Sequence, residues 1–159
     1  MGTLNTANIN LTGNFKGNQP GFRVTLDTGR ALNGTGVRLW NSAEGFNGNY
    51  FTNVKFNIGN CFNTSNSVFT APVTGIYLWN QVMATGSSAN SQSYSSCEYY
   101  VNGSRVGKSG WSELPQGYQR WTATDYIQLN AGDLVTFGGE WQQTTSFNNQ
   151  SHIMMYLLG

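Results

Sequence analysis

His152 is the only histidine of the chain, so chemistry that needs an imidazole would have to run through it. It opens His152-Ile-Met-Met-Tyr-Leu-Leu158, a run that predicts a strand, and a strand residue with a satisfied ring accounts for it better than a catalytic role. The seven carboxylates, Asp27, Glu44, Glu98, Glu113, Asp125, Asp133 and Glu140, are scattered. None shows the spacing of a calcium loop, and no two form a spaced pair for glycosidase work. No Gly-x-Ser-x-Gly elbow occurs, and no Cys–His arrangement is close in sequence. Gly34-Thr-Gly36 and Gly138-Gly139 read as turns, because no Gly-x-x-x-x-Gly-Lys leads from a strand into a helix as a phosphate cradle requires. The chain is therefore read as a non-enzyme, with no catalytic residue, no cofactor and no metal ligand assigned. Cys61 and Cys97 are the only cysteines. They could pair, but nothing in the spacing shows it; buried free thiols are the expectation, and the redox compartment stays open.

One segment has the composition of a binding surface. Gly110 to Trp121 brings Trp111, Tyr118, Arg120 and Trp121 around a Pro-Gln-Gly turn. Exposed Trp and Tyr stack on sugars and are enriched at interface hot spots. The plainer reading, which we favour, has these rings sealing the edge of the fold or a subunit interface.

Composition restricts the partners. Only 9% of residues are charged and the net charge is +1, so no basic face is available to neutralise phosphates and nucleic acid is excluded as an expected partner. Low net charge also gives little protection against association, which an obligate oligomer tolerates better than a dynamic monomer. No stretch reaches the ~20 apolar residues of a membrane span, and residues 1–14 lack the basic start and apolar run of a secretion signal. At 159 residues the chain is expected to hold one domain with a modest appendage. Residues 1–20 are polar, with scattered Leu4, Ile9 and Leu11, and end in a Gln19-Pro20-Gly21 turn signal. They are read as an arm, held down by a neighbouring chain or a larger particle.

From Phe22 onward the pattern is all-β. Phe22–Leu26 and Asn53–Ile58 alternate apolar and polar residues, the mark of half-buried strands. Gly75–Met83 is more continuously apolar, which predicts a strand covered on both faces. Glu98–Val101 and Ser104–Val106 flank Asn102-Gly103, and Asn-Gly between such runs predicts a type I′ hairpin with positive φ at both positions. Asn33-Gly34 and Asn47-Gly48 are weaker versions of the same signal. Strands are also expected over 120–129, 134–141 and 152–158. With no intervening helices, such spacing indicates a sandwich or barrel.

The order of aromatics in the middle of the chain adds a family to this reading. Phe51-x5-Asn57-x4-Phe62-x6-Phe69-x5-Gly75-x-Tyr77-x-Trp79 resembles the signature of the globular head domain of complement C1q, with Trp79 where that family usually has Phe. Phe69-Thr-Ala-Pro-Val-Thr-Gly-Ile-Tyr77 is similar to its Phe-x-x-Pro-x-x-Gly-x-Tyr run, and Leu129-Asn-Ala-Gly132-Asp133-Leu-Val135 to its Leu-x-x-Gly-Asp-x-Val segment. Val101-Asn102-Gly103 resembles its Asn-Gly hairpin, and residues 152–158 its final strand, with Met155 where Gly is usual. The resemblance covers residues 22–159. It implies an antiparallel jelly-roll sandwich, shared with tumour necrosis factor, that assembles as a homotrimer through aromatic and aliphatic side chains about a three-fold axis.

Animal members of that family usually carry a collagen stalk and a secretion signal, and neither is present here. Met1-Gly-Thr-Leu-Asn-Thr-Ala-Asn-Ile9 looks like the start of short phage fibre and virion proteins. Together the two resemblances imply a non-enzymatic trimeric virion protein, such as a phage tail-fibre knob. Its work would be assembly and host-surface adhesion, with a glycan or protein as receptor. The protein would be made in the host cytoplasm and displayed at the tail or head surface. Residues 1–20 would anchor it to other virion proteins through Leu4, Ile9 and Leu11, and residues 21–159 would form the C1q-like domain. A capsid decoration or head fibre protein is the first alternative, and a stand-alone bacterial lectin-like or spore-surface protein the second.

Overall fold

The structure, a computed structural model, describes residues 19–26, 30–32, 36–39, 51–85, 95–109, 117–141 and 145–158. Every regular element among them is a strand. In chain order these are β1 (Gly21–Thr25), β2 (Arg30–Leu32), β3 (Gly36–Leu39), β4 (Asn53–Ile58), β5 (Phe62–Asn63), β6 (Val68–Thr70) and β7 (Gly75–Ala84). Then follow β8 (Ser95–Val101), β9 (Ser104–Ser109), β10 (Arg120–Leu129), β11 (Leu134–Trp141), β12 (Thr145–Phe147) and β13 (His152–Leu157). One sheet has five strands in the order β10-β7-β13-β1-β4, all antiparallel. A second runs β5-β6-β11-β8-β9, with β3 also on β11, and β12 pairs β2 separately. Neighbours distant in sequence, such as β1 beside β13 and β6 beside β11, are the crossovers of a jelly roll.

Side-chain period decides what lies between the sheets. Along β10, Trp121, Ala123, Ile127 and Leu129 turn inward, while Thr122, Thr124, Tyr126 and Gln128 turn outward. Along β13 the inward set is Ile153, Met155 and Leu157. Aromatic rings from both sheets fill the space. Phe22 stacks on Phe62 at 4.1 Å and lies 5.5 Å from Phe69 and 5.7 Å from Phe137. Trp79 meets Tyr99 across the sandwich at 4.6 Å. Each such ring removes roughly 150–250 Å² from water, and each ring pair adds about 0.5–1.5 kcal/mol beyond that burial.

Most of the expected strands are present, with β8 and β9 longer than the alternation indicates. The Asn102-Gly103 hairpin is present with φ of 50° and 83°. Two expectations need correction. β7 is covered on both faces only in its second half: Gln81, Val82, Met83 and Ala84 are buried, whereas Ile76 is 45% exposed. Gly138-Gly139 is no turn; it lies inside β11, where the Gly138 carbonyl accepts a 2.8 Å hydrogen bond from Gln81 Nε2. At the junction with the arm, the Pro20 carbonyl accepts from Leu157 N at 2.9 Å. The short strands β2, β3, β5, β6 and β12 are too brief for alternation to reveal. Asn33-Gly34 and Asn47-Gly48 lie outside the described residues.

Candidate functional site

The residues of the family-like signature are structural. Phe51, Phe62, Phe69, Tyr77 and Trp79 all lie in the core. Asn57 clamps the turn after β4: its Nδ2 donates to the Phe62 carbonyl at 2.7 Å and its Oδ1 accepts from Phe62 N at 3.1 Å. Those two bonds copy a strand pair where the backbone turns away, which only a side-chain amide at that spacing can do. Tyr77 packs edge-on against Phe69 and its hydroxyl donates to the Val73 carbonyl at 2.8 Å. Gly75 opens β7, paired with Leu129. Gly132 takes a φ of 92° that penalises a Cβ, and its N–H donates to the Ala71 carbonyl. Asp133 caps the same turn by accepting from Asn130 N and Asn102 Nδ2, at 2.8 and 2.9 Å. These bonds, that from Asn102 foremost, hold its carboxyl below the usual range.

The titratable groups are likewise engaged in holding the fold. Asp125 accepts from the Tyr99 hydroxyl at 2.9 Å, and burial, then Asp125, pushes that phenol up. Glu98 on β8 is fully buried and accepts from Ser96 Oγ at 3.2 Å and from the Tyr100 hydroxyl at 2.6 Å. It also pairs with Arg105 and Lys108 at 3.6 and 3.5 Å, and Lys108 is bonded to Glu140 as well. Burial pushes the thiols of Cys61 and Cys97 up; both are free, Cys61 in the turn after β4 and Cys97 on β8 in the core. His152 is half-buried on the outward side of β13, with Nδ1 3.2 Å from the Gln150 carbonyl. Burial lowers its pKa, and the charges of Arg23 and Arg120 lower it further. Among the described residues no group of three or more His, Cys, Asp and Glu is placed to hold a metal ion.

The aromatic segment divides. Trp121 is buried and packs edge-on against Phe147 at 5.6 Å, so its ring is not a stacking surface. The alternation of β10 is the reason: Trp121 falls on an inward position and Arg120 on an outward one. Tyr118 is 79% exposed and Arg120 is exposed too. Trp111 and the anchor residues Leu4, Ile9 and Leu11 lie outside the described residues.

What the sequence reading missed is the outward face of the five-stranded sheet. Strand register lays one row across all five strands: Tyr126, Leu78, Tyr156, Gly21 and Ile58. On one side lies the row Gln128–Ile76, with Leu158 held to the Ile76 carbonyl at 2.8 Å. On the other side run Thr124, Asn80, Met154, Arg23 and Phe56. Antiparallel sheets usually put polar residues on the face turned to water, yet here Tyr126 is 66% exposed and Leu158 39%. Gly21 is required by close approach: a Cβ there would lie 2.4 Å from Tyr156 Cβ and 2.7 Å from the Met155 carbonyl oxygen. The signal was available in the out-facing positions of β7, β10 and β13, but only register assembles them into one surface.

No family model matches the chain, and no curated protein sequence matches it. Solved structures do. The globular domain of zebrafish complement 1qA protein is 14% identical, with a TM-score of 0.57 over 89% of this chain and 98% of that one. Murine APRIL at pH 5.0 is 10% identical, with a TM-score of 0.59 over 88% and 99%. The same protein at pH 8.0 gives 0.58 at 10% identity over the same shares. The chain thus has the C1q/tumour necrosis factor-like jelly-roll fold, and at these identities the likeness speaks to the fold alone.

Proposed function

We propose that this protein is a non-enzymatic homotrimer that serves as the knob of a virion appendage, such as a phage tail fibre, acting in assembly and host-surface adhesion. The apolar outward face of the five-stranded sheet carries the trimer half of this reading. Contiguous exposed apolar surface marks an interaction site, and copies of the same chain are its simplest occupants. The jelly-roll likeness and the resemblance of residues 1–9 to phage fibre proteins support the rest. Residues 1–20 would join the knob to other virion proteins. Three copies allow weak receptor sites to act together.

Sedimentation equilibrium tests assembly; a monomer at every concentration would end the trimer reading. Immunogold labelling of particles with antibody to residues 22–159 tests location. Label at the tail supports the fibre, label over the head supports a decoration protein, and unlabelled particles would remove the virion role.

A further inference from the structure

The edge of the sandwich is built differently from its faces. Among the described strands β4 ends the five-stranded sheet and β5 ends the other, so the turn over residues 59–61 carries the chain from sheet to sheet. Gly59 and Asn60 take positive φ there, 79° and 50°. β4 itself is bulged: Arg23 pairs with Phe56 and Val24 with Val54, which leaves Lys55 unpaired. Strict alternation would put Val54 and Asn57 on opposite faces, and the extra residue puts both on one. Phe56 and Ile58 turn to the outward face, beside Met154 and Tyr156. Val54 and Asn57 line a separate cleft of about 590 Å³.

That volume lies within the ~300–1,000 Å³ of typical small-molecule sites. Its floor is fixed by the chain itself. The Asn57 amide is committed to Phe62, Thr70 N donates to the Cys61 carbonyl at 2.8 Å, and Cys61 Sγ donates to the Ile58 carbonyl at 3.2 Å. The rim is free. Asn60 and Thr70 are exposed and Thr64 half-buried, and their side chains make no hydrogen bond among the described residues. Asn63 Oδ1 accepts from Ser65 N and Oγ at 2.8 and 2.7 Å, while its Nδ2 donates to no described residue. No charged side chain lines the cleft, and Val54, 42% exposed, gives it an apolar patch.

We infer that this cleft is a receptor site for an uncharged saccharide. This rests on the adhesion reading above and gives its ligand a chemical class. Amides and hydroxyls supply both donors and acceptors, as the hydroxyl groups of a sugar require, and Val54 suits the C–H face of a pyranose. An anionic glycan or a phosphate would find no cation in the lining. Because the floor is fixed before a ligand arrives, little ordering accompanies binding. A few neutral hydrogen bonds hold one sugar weakly, and several copies on one particle would make the attachment firm.

The test is binding of the full chain to an array of oligosaccharides ending in neutral hexoses or N-acetylhexosamines, beside sialylated and sulfated ones. Neutral glycans should bind. Asn60→Gly keeps the positive φ and removes the amide, and Thr70→Val removes the hydroxyl from an exposed strand position. Each should weaken binding of the free sugar about 5- to 10-fold, with an unchanged circular dichroism spectrum. Backbone amide resonances of residues 60, 63 and 64 should shift on titration with that sugar. Binding that needs a negative charge, that ignores both variants, or that Tyr118→Ala removes instead would overturn the site. So would an array with no glycan bound, and label at the tail in the immunogold experiment would then leave the fibre reading standing. Unlabelled particles, with glycan binding that Asn60→Gly weakens, would overturn the virion role and support the cleft as a sugar site.

Discussion

The two faces of the five-stranded sheet obey the same alternation and end in different states. The inward face, with Phe22, Tyr77, Trp79 and Met155, is closed by partners from the same chain, ring on ring. The outward face, with Ile76, Leu78, Tyr126 and Tyr156, is also apolar, yet Ile76 and Tyr126 stay open to water. The inner face stabilises the fold; on the outer one Ile76 and Tyr126 meet solvent. Hydrophobicity alone does not separate these roles. Completion within the chain does.

The widest separation should come from Trp79→Ala. Deleting the indole leaves a cavity beside Tyr99, and a loss of about 3–5 kcal/mol is expected in urea unfolding at protein concentrations that hold assembly constant. A loss below about 1 kcal/mol would mean the inner face is not the main source of stability. Leu78→Asp should do the reverse. Placed between Tyr126 and Tyr156 in the outer row, the carboxylate should abolish assembly, for a loss of at least about 2 kcal/mol in association, while far-UV circular dichroism keeps its β spectrum. An oligomer that survives this change would return the outer face to ordinary surface.

Asn57→Ala should fall between these two, costing about 1–3 kcal/mol because Phe62 N loses its acceptor and the Phe62 carbonyl its donor. Assembly should be lost only where folding is, and a variant that folds well but stays monomeric would blur the comparison. The smallest effect is at His152. Its folded pKa lies below the unfolded one, so the unfolded chain binds more protons as pH falls through about 6.5 and stability drops across that step. The loss is complete below the folded pKa. His152→Gln should flatten thermal midpoints between neutral and mildly acidic pH; an unchanged slope would assign it to other groups.

Much of the fold was legible because its signals are local. The Asn102-Gly103 turn, the period of β10 and the aromatic signature from Phe51 to Trp79 each depend on residues near one another in sequence. The candidate site was not legible for the opposite reason. The composition around Trp121 left a binding surface and a sealed edge both open, and only alternation within β10, which turns Trp121 toward Phe147, separates it from exposed Tyr118 and Arg120. Gly138-Gly139 looked like a turn until β8 and β3 flanked it.

By itself the sequence determined that this chain builds short antiparallel strands with aromatic cores and tight Asn-Gly turns, because a two-residue period and a positive φ are properties of neighbouring residues. Tertiary structure alone decided which apolar set would be covered. Tyr126, Leu78, Tyr156, Gly21 and Ile58 come from five strands scattered from one end of the domain to the other. A period of two assigns each strand two faces but does not say which of them another part of the chain will reach.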